Sequence, residues 1–429
     1  MRKIKNILVV LAHGLDGAGV MRNSVALVDY VNKCRNDKYS ARLISTTDIS
    51  WARSKGQYSN AEELSFTEQF DEVKKAIDWS DLVIFTCTPT SKCDDKIKEN
   101  FMDMLTYAKK QTKKTCMFQF EHKLRSLKNS MYTDPKYFKM FDMLDVVMTH
   151  SHTADFAVKF LQKNNIKCNL VCRNDFGLQN LFGISFDDLK KFWKPFESKD
   201  YRTVKFIGRS SAWKGPFVFR DLHWKHLMKD GYISSAEGIE LSIGTLNDVF
   251  KQIKPSKVFR DDVNGKYIKA LKANLAAIDA DKIEFERNSP IYFMPPYNHD
   301  KAMERMSRCQ FGIELLMITD AFLPDTIENA MFEIVGVGNV PIFRKKWAEA
   351  FKLDGKSIAE HGFDKTGTVI LDEENPEEAV DLMNKLSDDK KAYDKARNAA
   401  FAFYSKYFDT KPVYDKLLDV LFNEDTTLS

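Results

Sequence analysis

Arg209 and Lys214 bracket the stretch RSSAWKGP, which follows an apolar run, Thr203–Ile207, and Gly208. Pro216 suits the first turn of a helix, where its missing N–H would be unpaired anyway. The helix N-terminus expected at 214–217 turns free amides and a positive dipole end toward the same spot as the two side-chain charges. A forked guanidinium, a compact ammonium and open N–H donors together suit a diphosphate. A loop whose cations are merely solvated is the alternative.

The first strand of the chain has a comparable loop, AHGLDGAGV at 12–20. Gly14, Gly17 and Gly19 allow a sharp turn and a close approach of backbone to ligand. The spacing is G-x-x-G-x-G, not the dinucleotide fingerprint, and a plain tight turn would read the same way. Further on, Asp325 and Glu328 stand at capping-box spacing before an apolar run. Glu333 lies in mid-helix between Phe332 and Ile334, where a carboxylate can accept two ribose hydroxyls; an ordinary exposed glutamate is the competing reading. Asp325 at the helix mouth can take sugar hydroxyls.

The fourth stretch is FQFEHKLRSLKNS at 118–130. Glu121 beside His122 can take or relay a proton. Lys123, Arg125, Lys128 and Lys136 are candidates to neutralise nucleic-acid phosphates, with a solvated basic helix as the alternative. His150, His152 and Asp155 lack a further ligand at metal spacing. His223 and His226, three apart on an expected helix, read as packing or surface residues. No acidic pair ends a strand in a way that would hold a divalent ion over a diphosphate, so metal-independent chemistry is expected.

These residues need a frame. A chain of 429 residues is long enough for two domains. Its charge is +4, from 65 basic and 61 acidic side chains, which permits a polyanionic partner without demanding one. Seven scattered cysteines with no C-x-x-C read as reduced thiols of a cytosolic protein. No apolar run approaches a membrane span, and the basic start followed by NILVVLA reads as a first strand rather than a leader. Apolar strand-like runs alternate with amphipathic segments to about 172, lapse over 173–202, then resume from 203. This predicts an α/β protein with two facing Rossmann-like domains and a cleft between them, ligands lying beyond the carboxyl ends of the strands. The expected division is an N-terminal domain at 1–180, a second domain at 181–408, and a C-terminal helix at 409–429 returning toward the first.

Seven segments in order (AHGLDGAGV, FQFEHKLRSLK, THSHTADF, FIGRSSAWKG, AEGIELS, MERMSRCQFGIEL and IENAMFEIVGVGNVPIF) resemble the DNA α-glucosyltransferases of T-even bacteriophages. These are retaining enzymes of the GT-B fold that move glucose from UDP-glucose to 5-hydroxymethylcytosine in DNA. The resemblance spans nearly the whole chain. It implies that Arg209 and Lys214 bind the diphosphate and that Glu328 and Glu333 contact the ribose and its surroundings. It further implies that the loop of Gly17 and Gly19 faces the reaction centre and that Glu121 and His122 lie beside the acceptor. Where the family carries His-Asp-His, this chain reads Phe120-Glu121-His122. The segment 251–298 also diverges. A bulkier, more apolar wall such as Phe120 would tolerate an arabinosyl donor, so UDP-glucose and UDP-arabinose both stand as donors. The expected partner is hydroxymethylated duplex DNA, with the target base flipped out, and the expected setting is the cytoplasm of an infected bacterium, with the enzyme a monomer. A GT-B enzyme of glycans or small molecules, and a non-catalytic DNA-binding protein on a transferase scaffold, are the alternatives.

Overall fold

The computed structural model describes residues 4–12, 19–46, 62–64, 68–86, 89, 94–118, 137, 139–149, 159, 162–165, 170–172, 183–207, 219, 222–237, 291–294, 299–315 and 329–422. The chain divides into two compact units, one of 1–184, 320–327 and 407–429, the other of 185–319 and 328–406.

The first unit is built on seven strands: β1 (Lys5–Leu11), β2 (Tyr39–Ser45), β3 (Glu62–Glu63), β4 (Leu82–Thr86), β5 (Lys114–Phe118), β6 (Val146–Thr149) and β7 (Leu170–Cys172). Their order is β3-β2-β1-β4-β5-β6-β7, and every pairing is parallel. The apolar run of β1 is explained by its two buried faces. Ile7, Val9 and Leu11 pack with Leu27 and Val31 of helix α1 (Gly19–Cys34), while Leu8 and Val10 pack with α2 (Phe70–Trp79) and α3 (Asp95–Lys110) on the other side. A strand covered by helices on both faces has no polar side to alternate with. Asn32 of α1 both donates to the Ala41 carbonyl and accepts from its N–H, each at 2.9 Å, and so fixes α1 to β2.

The last helix of the chain, Thr410–Phe422, lies in this same core, with Val413, Tyr414, Leu417, Leu418 and Leu421 packed among the β1 and α1 side chains. Tyr30 donates to Asp415 at 2.6 Å. Ile184 and Asp409 form a parallel bridge beside Gly183, where a Cβ would come within 2.3 Å of the Thr410 Cα.

The second unit repeats the plan with β8 (Thr203–Ile207), β9 (Ile233–Glu237), β10 (Ile291–Met294), β11 (Phe311–Glu314), β12 (Val340–Arg344) and β15 (Val369–Leu371), in the order β10-β9-β8-β11-β12-β15 and again all parallel. Val204, Phe206, Phe311, Ile313 and Ile342 meet Ala379, Val380 and Met383 of the helix Glu377–Asp388 on one face. On the other face lies α7 (Asn329–Gly336), which also contacts α6 (His299–Arg308); Ile334 of α7 occupies the space above Gly312, where a Cβ would come within 2.4 Å of its side chain. Both sheets therefore carry the Rossmann order, with strand direction of travel reversing between β1 and β4 in one and between β8 and β11 in the other.

Three features depart from the sequence reading. The stretch 173–202, expected to be irregular, contains a capped helix, Phe186–Lys190, and a 3-10 turn, Phe196–Ser198. A two-residue edge strand, β3, is held by a forked ion pair of Arg42 with Glu62 at 2.9 and 2.7 Å. A small antiparallel hairpin, β13 (Lys352–Leu353) with β14 (Lys356–Ser357), follows β12. Among the described residues no helix is long and apolar enough to cross a membrane.

Gly367 offers a direct check on this packing. Its φ is +56°, and a Cβ there would lie 1.9 Å from the Ala396 carbonyl oxygen. Gly367→Ala is expected to lower stability by about 2–3 kcal/mol, combining left-handed strain with a backbone collision. The shift of the urea midpoint at constant slope measures it.

Candidate active site

In open parallel sheets a ligand site forms where chain direction reverses, beyond the carboxyl ends of the strands, because the loops from two neighbouring strands part there. In the first unit that position is shared by the ends of β1 and β4. The glycine loop leaves β1, and α1 begins at Gly19. A buried polar contact fixes the two strand ends beneath it. Ser24 of α1 donates to the Thr86 hydroxyl at 3.1 Å, that hydroxyl donates to the Val10 carbonyl at 3.4 Å, and the Ala12 N–H donates to the Thr86 carbonyl at 3.3 Å. Sequence reading passed over Ser24 and Thr86, since neither type is unusual where it stands.

The corresponding position in the second unit is shared by the ends of β8 and β11. β8 stops at Ile207, two residues before Arg209. β11 stops at Glu314 and α7 opens at Asn329, next to Glu328. β5, which precedes Glu121 and His122, ends at Phe118 in the first sheet. β1, β5, β8 and β11 each end at the carboxyl edge of a parallel sheet, and the candidate segments follow these strands in the sequence.

Of the individual candidates, Gly19 and Glu333 fall among the described residues. Gly17, Glu121, His122, Lys123, Arg125, Lys128, Lys136, Arg209, Lys214, Asp325 and Glu328 lie outside them. Glu333 is 5% exposed. This removes the ordinary surface glutamate from consideration, because a carboxylate is placed inside a protein only with compensation or a task. In the strands of this unit two further buried charges were missed: Lys205 in β8 and Glu314 at the end of β11. The available signal was a charge inside the otherwise apolar runs TVKFI and FGIEL.

The helix after the Arg209–Lys214 loop carries its own irregularity. His223–Leu227 forms a π turn, followed by a 3-10 turn at Met228–Asp230. The wide turn re-phases the helix, so that Leu222 and then Leu227, five residues on, both face the apolar core. It also separates the two histidines that an α-helix would put on one face. His223 is buried, its Nδ1 2.7 Å from the Ser234 hydroxyl, while His226 lies 3.8 Å from Glu377 near the surface. Burial lowers the His223 pKa to about 4. The unfolded imidazole takes up its proton near pH 6.5, so this site's contribution is intact above that pH and is lost as pH falls toward 4. Wild-type stability is expected to drop by about 2–3 kcal/mol more than that of His223→Asn across this window, as read by urea unfolding at each pH.

At the opposite, amino-terminal edge of the same sheet, Lys199 donates to the carbonyls of Ser307 and Cys309 at 2.8 and 3.0 Å and to Asn339 Oδ1 at 2.9 Å. Burial, then the Arg397 charge, bring its pKa down to about 7. Its distance from the carboxyl edge gives this lysine a structural role. Among the described residues no cluster of three or more His, Cys, Asp or Glu stands together as a metal site.

Comparison with known proteins gives the same fold. A family profile described as DNA alpha-glucosyltransferase matches residues 18–391. The DNA alpha-glucosyltransferase of Enterobacteria phage T4 is 24% identical over 430 residues, covering 97% of this chain and 99% of that protein. Among solved structures, an alpha-glucosyltransferase in complex with UDP and a 13-mer DNA containing a HMU base superposes with a TM-score of 0.79 at 20% identity, covering 98% of this chain and all of the other. The fold extends to HepE of Anabaena in complex with UDP-glucose, with a TM-score of 0.54 at 12% identity over 97% of this chain and 99% of that one.

Proposed function

The chain belongs to the DNA alpha-glucosyltransferase family, and from that premise we propose that it transfers glucose from UDP-glucose to the hydroxymethyl group of 5-hydroxymethylcytosine in duplex DNA, retaining the anomeric configuration. The observation that carries the reading is topological. β8 ends at the reversal point of the second sheet, beside the end of β11, and Arg209 and Lys214 follow it in the sequence. Related enzymes of this fold have been solved with UDP-glucose and with DNA containing an abasic site, which supports a nucleotide-sugar donor and a DNA acceptor for this chain.

In this reading the diphosphate rests on the helix end at 214–217. As the glycosidic bond breaks, charge grows on the β-phosphate, and Arg209, Lys214 and the free amides stabilise it. These groups supply the neutralisation themselves, and no metal is assigned. Glu333 accepts the ribose hydroxyls, and Asp325 and Glu328 line the sugar and its surroundings. Gly17 and Gly19 let the backbone approach the reacting carbon. The acceptor base leaves the stack at a cost of a few kcal/mol. Lys123, Arg125, Lys128 and Lys136 hold the phosphates of the opened duplex, and His122 stands beside the acceptor with Glu121. The hydroxyl attacks from the face the nucleotide is leaving, with Glu121 orienting it and the departing phosphate sharing its proton. The setting is the cytoplasm of the infected host.

Intact-mass analysis of a hydroxymethylcytosine duplex incubated with UDP-glucose or UDP-arabinose tests the proposal. A hexose increment on the modified duplex, and none on unmodified DNA, is expected. A pentose increment with UDP-arabinose alone would transfer the reading to that donor, in keeping with Phe120 standing where the family has a histidine. No increment with either, alongside UDP release on a glycan acceptor, would overturn it.

A further inference from the structure

The last four carbonyls of a helix have no donor within the helix. In α7 three of them are met by the backbone that follows. The Val337 N–H donates to the Glu333 carbonyl at 3.0 Å, the Asn339 N–H to Ile334 at 3.2 Å and the Gly338 N–H to Val335 at 3.0 Å, with Gly338 at φ +78°. This is the Schellman ending, with glycine in the left-handed position. The fourth carbonyl, of Gly336, accepts from the Trp193 indole N–H at 2.7 Å, a residue 143 positions away in the chain. The same ring lies on Gly338, where a Cβ would come within 2.8 Å of it, and Leu189 lies on Gly336, where a Cβ would come within 2.4 Å of its side chain. Trp193 is itself held. The Arg397 guanidinium stands 5.0 Å from its ring centre, Phe401 meets it edge-on at 5.2 Å, and Arg397 also donates to the Lys194 carbonyl at 2.7 Å.

We propose that Trp193 is a positioning residue for donor binding: by holding the carboxyl end of α7 it sets where Glu333 presents its carboxylate to the ribose. Glu333 belongs to the turn that Trp193 closes, and its own carbonyl is one of the four. β12 begins at Val340, just after α7 ends at Gly336, so the tie stands at the amino-terminal edge of the sheet. Cα–Cβ bonds lean toward the amino terminus of a helix, so the Glu333 side chain sets out from the tie toward the Asn329 end. A helix is a stiff rod rising about 1.5 Å per residue, and a shift of its last turn carries Glu333 with it. This role rests on Glu333 being the ribose carboxylate of the proposed donor site.

Calorimetric titration with UDP tests it, with thermal melting as the measure of folding. Trp193→Phe keeps an aromatic ring beside Gly338 and removes the indole donor. It is expected to weaken UDP binding about fivefold, the share of one hydrogen bond. It raises the KM for UDP-glucose in proportion and leaves kcat at saturating donor within about twofold. Ser357→Ala, which removes the N-cap of the helix Ile358–His361 in the same unit, is the control. It is expected to lower the melting temperature while UDP affinity stays within about twofold of wild type. In a Glu333→Gln background, Trp193→Phe is expected to change UDP affinity by less than about twofold. Equal UDP affinity for wild type and Trp193→Phe overturns the proposal, as does an undiminished effect of Trp193→Phe when Glu333 is already glutamine, or an equal loss of affinity in Ser357→Ala. Should Trp193→Phe not fold, hydrogen exchange in the wild type decides, because coupling between two sites is reciprocal. Saturating UDP is expected to slow exchange of the amides of Val337, Gly338 and Asn339 about fivefold relative to those of Ile358–His361, and equal slowing of both contradicts the proposal. A wild-type protein that does not bind UDP would instead sink the donor assignment itself.

Discussion

Replacing Arg209 with alanine is expected to lower kcat for sugar transfer by about 10²–10³-fold, the loss typical when one preorganised donor to a developing negative charge is removed. The ground-state diphosphate is already charged, but bond cleavage concentrates a further charge on the β-phosphate, and a group aimed there gains strength as the reaction proceeds. Lys214→Ala is expected to behave alike. Because both cations are proposed to act on one leaving group, the double variant should lose less than the product of the single losses. Arg209→Lys should recover little, since an ammonium cannot reproduce a forked contact with two phosphate oxygens. Single-turnover transfer to a hydroxymethylated duplex measures the effect, and a loss below about threefold would remove Arg209 from the reaction centre.

Glu121→Gln should slow single-turnover transfer by between about 10² and 10⁴-fold while UDP affinity stays unchanged. Glutamine keeps the size and one acceptor oxygen of the side chain, so the hydroxymethyl group still fits. What disappears is the carboxylate proposed to orient the hydroxyl and share its proton. The departing phosphate retains part of that work, which is why transfer is slowed rather than abolished. His122→Gln should cost less, because the imidazole is the neighbour of the carboxylate and not the group assigned to the hydroxyl. An unchanged single-turnover rate for Glu121→Gln would cancel the role given to it.

Much of the fold was legible because a parallel sheet buries both faces of its strands. NILVVLA, DLVIFTC and VPIF have to be continuous apolar runs, and each becomes a strand. The loops after β1 and β8 stood out by composition, and the strand order puts each at a reversal point, a relation that requires knowing which strands are neighbours. Features set by distant partners stayed hidden. Glu62 and Glu63 are poor strand formers, and β3 exists because Arg42 reaches across to grip Glu62. The π turn at His223 follows from the demand that Leu222 and Leu227 both reach the core, and nothing in HWKHL announces it. Glu333 read equally as a ribose ligand or a surface residue until its burial was known.

The proposed catalysis requires the diphosphate to lie at the reversal point of the second sheet. A crystal structure of the protein with UDP tests this most directly. The expected result is β-phosphate oxygens within hydrogen-bond distance of Arg209, Lys214 and the backbone N–H groups of 214–217, with the ribose hydroxyls on Glu333. A nucleotide bound elsewhere, or those cations held by the protein's own carboxylates with UDP present, would contradict it.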